Sequence, residues 1–152
     1  MIKRSLDIIL SLIAMLILSP LLIPIIVLLK MTGEGYVFYK QKRVGQNNKL
    51  FDLLKFATMF KDSPNMAGGN ITSKNDPRIL PIGNILRKYK INELPQIINV
   101  LKGDMSIIGR RPTVKEHYNF YKEDVKIILS NYKPGLSGIS SIVFRDEEKY
   151  FT

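Results

Sequence analysis

The side chains best suited to chemistry are charged groups that lie close together between residues 76 and 112. Glu93 stands in Asn92-Glu93-Leu94-Pro95-Gln96, a pattern that predicts a helix start with Asn92 as N-cap and Pro95 in the first turn. Free amides and positive potential at a helix N-terminus suit a phosphate, and a carboxylate there could serve as nucleophile, base or metal ligand. For this segment taken alone, a Glu93 that only complements the helix dipole is the simpler interpretation.

Adjacent arginines follow in Gly109-Arg110-Arg111-Pro112. Because they stand between a glycine and a proline, they are better placed to project from a rigid turn than to line a helix face. A guanidinium can bind phosphate in a bidentate manner, so the turn is a candidate anion site, with a solvated basic turn as the alternative. Asp76-Pro77-Arg78 and Arg87 add further charges of both signs.

Length and composition limit the possible functions. The chain has 152 residues, which suits one domain. It contains no Cys and one His, which excludes a disulfide scaffold, an iron–sulfur site and a thiolate nucleophile, and disfavours a Ser–His triad. Lys and Arg total 23 against 13 Asp and Glu, a net charge of +10 that favours membranes and anionic ligands.

An uncharged apolar run over residues 8–29 is long enough to cross a bilayer as a helix. Pro20 and Pro24 should bend that helix, and the hydroxyl of Ser19 can satisfy a carbonyl that a proline frees. Both flanks are basic, which tends to keep both ends in the cytoplasm. These features favour a re-entrant membrane helix over residues 1–30, broken at Ser19-Pro20, with a single spanning helix as the alternative.

The remaining elements predict an α+β fold that is mainly helical, in one cytoplasmic domain over residues 31–152. The strand-like segments around a turn at 45–48 predict a β-hairpin, and a long Gly- and Asn-rich stretch predicts a loop. The predicted strands are 36–40 and 50–55, the loop is 62–77, and the helices are 79–88, 93–101 and 113–131. The last helix begins with a capping box, Thr113-x-x-Glu116.

Taken together, these motifs resemble the bacterial sugar transferases, the monotopic phosphoglycosyl transferases. The resemblance covers nearly the whole chain and rests on matched blocks in the same order. The blocks are Ser19-Pro20, Phe38 to Gly45, Lys55 to Met59, Asn75 to Arg78, Leu86 to Lys88, Asn92 to Gln96, Asn99 to Pro112 and Lys133 to Gly138.

The resemblance implies an activity. Such enzymes transfer a sugar phosphate from a nucleoside-diphosphate sugar, usually a UDP-sugar, to a polyprenyl phosphate such as undecaprenyl phosphate, and so start the assembly of a cell-surface glycan. The reaction proceeds through a covalent phosphosugar on an Asp and uses Mg²⁺. The family's catalytic pair falls on Asn92 and Glu93, which would also be the metal ligands, and Arg78, Arg87, Arg110 and Arg111 would contact phosphates. The expected location is the cytoplasmic face of a bacterial inner membrane, in contact with membrane lipid.

Three departures from the family pattern bear on activity. Asn92 replaces the usual Asp, and an amide cannot accept a phosphoryl group, so either Glu93 or another carboxylate is the nucleophile, or the chain is a catalytically impaired partner in glycan assembly. Ala57 stands where the family usually has Arg, and Arg110 where it has Pro. Family domains usually run beyond Thr152, so a C-terminal truncation is a further expectation.

A basic bitopic membrane protein that binds nucleic acid is the other class of protein that this charge allows. No nucleic-acid motif supports it, and no nucleic-acid partner is expected. The identity of the sugar, the polyprenyl length, the oligomeric state and any downstream glycosyltransferases are not encoded in a recognisable motif.

Overall fold

A computed structural model describes residues 2–32, 34–66 and 76–138. Five α-helices and four short strands lie within these ranges, which confirms the predicted α+β, mainly helical class. In chain order they are α1 (Ile2–Thr32), β1 (Phe38–Val44), β2 (Leu50–Phe56), α2 (Pro81–Lys88), α3 (Gln96–Lys102), β3 (Ser106–Ile108), α4 (Lys115–Asn119), α5 (Glu123–Ser130) and β4 (Gly135–Ser137). Of the predicted loop at 62–77, residues 67–75 lie outside the described residues.

The apolar run forms the long helix α1, whose helical conformation continues through Pro20 and Pro24. Pro20 has no N–H to donate to the carbonyl of Leu16, four residues earlier. The Ser19 hydroxyl donates to that carbonyl over 2.8 Å, which is the compensation expected from the sequence. Among the described residues, α1 is the one helix long and apolar enough to cross a membrane. Re-entry into the bilayer stays a prediction.

By its internal contacts the chain forms two compact units, and the division falls inside α1, β1 and β2. The first unit contains the chain up to Ala14, Gln41–Leu53 and the residues from Gln96 onwards, and the second contains Met15–Lys40 and Leu54–Pro95. Each unit therefore includes one half of α1. The predicted division into a membrane helix at 1–30 and a cytoplasmic domain at 31–152 depends on where the bilayer lies, and it stays a prediction.

The first unit has an apolar core under the parallel pair β3–β4 and holds α1 by polar contacts. Its core residues are Phe51, Leu53, Val100 and Met105, with Ile107 and Leu136 packed against them. Arg4 donates to the carbonyls of Val100 and Leu101 at the end of α3, over 2.5 and 2.6 Å. The buried carboxylate of Asp7 accepts hydrogen bonds from Ser106 Oγ and Ile107 N, both over 3.0 Å.

The second unit holds its half of α1 chiefly by apolar packing. Ile25 and Leu29 are buried with Phe56 and Leu86, and neighbouring apolar side chains pack around them. The opposite side of α1 exposes large apolar residues along its length, among them Leu16, Ile17 and Ile23. An apolar helix face that contacts no protein suits lipid.

The predicted β-hairpin is confirmed, with β1 running four residues further than expected. A turn at Gln46–Asn48 joins the strands, and Asn47 and Asn48 adopt left-handed backbone angles that asparagine tolerates well. The pair β3–β4, in which Ser106 pairs with Gly135, was not predicted, because three-residue strands carry no usable periodicity.

The predicted single helix at 113–131 is wrong, since two short helices, α4 and α5, occupy that range. Thr113 does not form the capping box. Its carbonyl accepts a hydrogen bond from Val44 N over 2.9 Å, and its hydroxyl donates to the Arg111 carbonyl over 3.3 Å. Lys122 then adopts an extended conformation, which separates α4 from α5.

Candidate functional site

Glu93 lies in a short 3-10 turn, Ile91–Glu93, and not in the first turn of α3. The predicted N-cap role of Asn92 is therefore wrong, since Asn92 is inside this turn and α3 begins at Gln96, directly after Pro95. The turn starts because Lys90 adopts a left-handed conformation, φ 56°, which ends the preceding helical path. Asn92 and Glu93 are both partly exposed, so their side-chain oxygens are accessible to a ligand.

Lys55 forms an ion pair with Glu93, with 3.2 Å between Lys55 Nζ and Glu93 Oε1. Lys55 lies in β2 between buried Leu54 and Phe56, and its side chain is 22% exposed. The sequence analysis did not single out Lys55. The signal was present, because a lysine between two buried apolar residues needs an acidic partner or a ligand.

Arg87 is at the end of α2, where its Nε donates to the hydroxyl of buried Thr58 over 2.8 Å. That bond uses one edge of the guanidinium and leaves its two terminal nitrogens without a hydrogen bond to any described residue. Burial lowers the pKa of Arg87, the nearby Asp76 carboxylate raises it, and Arg78 lowers it. An anion placed at the terminal nitrogens would offset the cost of burying this charge.

Arg78 is buried in a bidentate pair with Asp76. Its Nε and Nη2 donate to the two carboxylate oxygens over 2.9 and 2.6 Å, and its Nη1 donates to the Ser63 carbonyl over 3.1 Å. The hydrogen bond with Asp76 raises the pKa of Arg78. With 2% exposure, this guanidinium stabilises the loop around it and is poorly placed to meet a substrate phosphate.

The guanidinium of Arg110, which the sequence predicts to contact phosphate, donates hydrogen bonds to backbone carbonyls of the first unit. Its Nε donates to Leu129 over 3.1 Å and its Nη2 to Val44 and Gly45 over 3.0 and 3.1 Å. The guanidinium also lies over the ring of Tyr118, 5.9 Å from its centroid. Burial lowers the pKa of Arg110, while the neighbouring tyrosines raise it. Arg110 therefore holds α5 against the end of β1, whereas Arg111 is exposed beside it.

The second unit contains three predicted or newly found site residues, Lys55, Arg87 and Glu93. Backbone hydrogen bonds run from Lys90 N to the Arg87 carbonyl, 3.0 Å, and from Glu93 N to the Lys90 carbonyl, 3.2 Å. They hold Arg87 and Glu93 on successive turns, and Lys55 pairs with Glu93. The structure therefore shows one carboxylate paired with a lysine, and an arginine on the preceding turn whose charged neighbours are Asp76 and Arg78. Both cations suit a phosphate ester, and the carboxylate could act on it.

The donor set around Glu93 fits Mg²⁺. A carboxylate and the carboxamide of Asn92 provide oxygen ligands, which this cation prefers. Within the described ranges, no group of three or more His, Cys, Asp or Glu side chains could form a complete protein cage. Mg²⁺ is commonly held by one or two protein oxygens together with substrate phosphates and water, so an incomplete protein set is the expected one.

Comparison with known proteins identifies clear relatives. Residues 1–151 match the family model described as bacterial sugar transferase. The chain is 36% identical over 166 residues to the exopolysaccharide production protein ExoY of Rhizobium meliloti, an alignment that covers 100% of this chain and 73% of that protein.

Longer relatives share the same region. The chain is 37% identical over 144 residues to the UDP-N-acetylgalactosamine-undecaprenyl-phosphate N-acetylgalactosaminephosphotransferase of Aeromonas hydrophila, with 93% of this chain and 34% of that protein covered. It is 36% identical over 144 residues to the UDP-glucose:undecaprenyl-phosphate glucose-1-phosphate transferase of Escherichia coli, with 93% and 31% covered. The chain thus spans about a third of these two proteins.

Proposed function

The chain belongs to the bacterial sugar transferase family, and from this premise we propose that it transfers a sugar 1-phosphate from a UDP-sugar to a polyprenyl phosphate. In the net reaction, an oxygen of the polyprenyl phosphate bonds to the sugar-bearing phosphorus. The bond from that phosphorus to UMP breaks, and UMP leaves with the electron pair. The product is a polyprenyl diphosphate sugar, the starting lipid of a surface glycan.

The observation that carries this proposal is the ion pair of Lys55 with Glu93, together with Arg87 on the preceding turn. Both substrates are anionic, so two cations beside one carboxylate would neutralise the phosphates and the charge that develops on departing UMP. When bound, Mg²⁺ would add further neutralisation of the phosphates, held by Glu93 and Asn92. Lys55 pairs with Glu93, and when substrate binds it would move toward the phosphate or be shared between the phosphate and Glu93.

Glu93 is the carboxylate on which the proposed mechanism depends. The neighbouring Asn92 amide cannot form the acyl phosphate that a covalent route requires, so that route would place the phosphosugar on Glu93. Asn92 also supports a second candidate function, a catalytically impaired homologue that assists glycan assembly without turnover. Arg78 and Arg110 are left out of the proposed phosphate site because their guanidinium groups are held by Asp76 and by backbone carbonyls.

The proposed arrangement in the membrane is monotopic, with both ends of α1 on the cytoplasmic side. Arg4 and Asp7 bind residues 100–107, and Ile25 and Leu29 pack on Phe56 and Leu86. Basic residues precede and follow the uncharged stretch at 8–29. The basic residues near both ends favour the cytoplasmic side.

The decisive experiment is a transfer assay with the purified protein in detergent. Undecaprenyl phosphate, Mg²⁺ and a panel of UDP-sugars are supplied, and UMP release and radiolabelled sugar in extractable lipid are measured together. The proposal expects both signals with at least one UDP-sugar and neither signal from Glu93→Gln. If no donor gives transfer, and Asn92→Asp does not restore it, the impaired-homologue function is the correct one.

A cysteine-accessibility experiment tests the topology, since the chain has no native Cys. Single cysteines at Ile2 and Met31, both highly exposed, would label from the cytoplasmic side only. A cysteine at position 2 that labels only from the periplasm would show that α1 spans the membrane.

A further inference from the structure

Thr58 occupies an unusual place in the second unit, because both its backbone and its side chain contact the same helix. It is 5% exposed and follows β2 by two residues. Its carbonyl accepts a hydrogen bond from Leu80 N, just before α2, over 2.9 Å. Its hydroxyl accepts one from Arg87 Nε, in the last turn of α2, over 2.8 Å. Thr58 therefore binds α2 near both ends.

Gly83 makes this close approach possible. A Cβ at position 83 would lie 2.2 Å from the Thr58 carbonyl oxygen, so any larger residue would push α2 away from Thr58. Gly83 and Arg87 are four residues apart and share one face of α2. The face that rests on the Thr58 backbone is thus the face that brings Arg87 over the Thr58 hydroxyl.

We propose that Thr58 is a positioning residue that fixes the Arg87 guanidinium for binding substrate phosphate, with Gly83 setting the distance between them. The inference rests on the proposed function, in which Arg87 binds the sugar donor or the lipid phosphate. A guanidinium is planar, so a hydrogen bond at Nε fixes the direction of the fork formed by its two terminal nitrogens. Without that bond, the long side chain must lose rotamer freedom when the anion binds, which weakens binding.

The test compares Thr58→Val, which keeps the shape and loses the acceptor, with Thr58→Ser, which keeps the hydroxyl. We expect Thr58→Val to raise the KM for the UDP-sugar about tenfold, because a hydrogen bond to a charged group is lost. The change in kcat should be smaller. Thr58→Ser should stay within about threefold. If both variants are equally impaired, or if kcat falls while KM is unchanged, Thr58 does not position Arg87.

A double-mutant cycle separates positioning from folding. In an Arg87→Ala background, Thr58→Val should change the remaining activity less than about twofold, because the residue through which it acts is absent. An effect of Thr58→Val that is as large in this background as in the wild type would overturn the proposal. Thermal unfolding of each variant shows whether α2 remains folded.

A spectroscopic readout keeps this inference distinct from the proposed function. The chain has seven arginines, so the Nε–H signals of ¹⁵N-arginine protein are few and can be assigned with Arg87→Lys. The Arg87 Nε–H should be protected from solvent exchange in the wild type and in Thr58→Ser, and unprotected in Thr58→Val. If Thr58→Val loses the protection of Arg87 Nε–H without a change in KM, the hydrogen bond exists in the wild type but has no role in phosphate binding. Absence of transfer in every protein would instead refute the proposed function.

Discussion

The segment from Arg87 to Glu93 and the turn at Arg110-Arg111 look alike in sequence, since both are short, charged and close to a proline. In the structure they differ in what their charges meet. Arg87 uses one nitrogen on a hydroxyl and Glu93 pairs with a lysine, whereas Arg110 donates to three backbone carbonyls. Arg110 leaves one buried nitrogen, Nη1, without a hydrogen bond among the described residues, while its Nε and Nη2 hold backbone carbonyls and so stabilise the fold. Arg87 uses only Nε, so both of its terminal nitrogens can bind a ligand.

The largest effect on turnover is expected at Glu93. Glu93→Gln keeps the size and removes the charge, so UMP release should fall on the order of 1000-fold or more, since no other acid replaces it. Its unfolding temperature should stay close to that of the wild type, because the ion pair with Lys55 is partly exposed and contributes little. A Glu93→Gln protein with normal turnover would direct attention to Asp76 or Asp104, or to Asp146, which lies outside the described residues.

The second effect concerns Arg87. Arg87→Ala should reduce kcat/KM by about 100-fold, since a preorganised cation is lost from the phosphate site, and Arg87→Lys should recover only part because the fork is missing. Initial rates over a range of UDP-sugar concentrations give the measurement. Arg78→Lys is the matched comparison, and there we expect lower stability, since its pair with Asp76 is buried.

Arg111 should show a smaller effect on turnover. It is exposed, and Arg111→Ala is expected to lower transfer about tenfold, with partial recovery in Arg111→Lys. Transfer is measured with each substrate varied in turn, so that a loss of lipid binding is distinguished from a loss of donor binding. Full activity in Arg111→Ala would show that it is a solvated residue of the turn.

The smallest effect on turnover is expected at Arg110, the neighbour that sequence alone would treat as equivalent. Arg110→Ala should change the turnover of folded protein less than about twofold but lower its stability by about 2 kcal/mol, because buried carbonyls lose a charged donor. Urea unfolding in detergent measures the stability, and the rate is expressed per folded molecule. A large loss of turnover with unchanged stability would return Arg110 to the list of phosphate ligands.

The sequence predicted the features that local patterns encode. The apolar helix, the hydroxyl of Ser19 near Pro20 and the β-hairpin follow from composition and spacing over a few residues. The hydrogen-bond partners of Arg78 and Arg110 were not predicted from the sequence. Those of Arg110 lie 19 to 66 residues away, and only the folded chain brings them close. The turn at Ile91–Glu93 was mistaken for a helix start because both use the same polar residues near a proline.

The polar contacts of the first half of α1 also bear on the order of events during synthesis. Arg4 and Asp7 bind residues 96 to 100 positions later in the chain. At about 5 to 20 residues per second, those partners leave the ribosome roughly 5 to 20 seconds after Arg4 and Asp7. During that interval the first half of α1 lacks its polar partners, whereas the second half can already pack on Phe56. The first unit can therefore close only after residues 100–107 have been made, around a helix that was synthesised long before them.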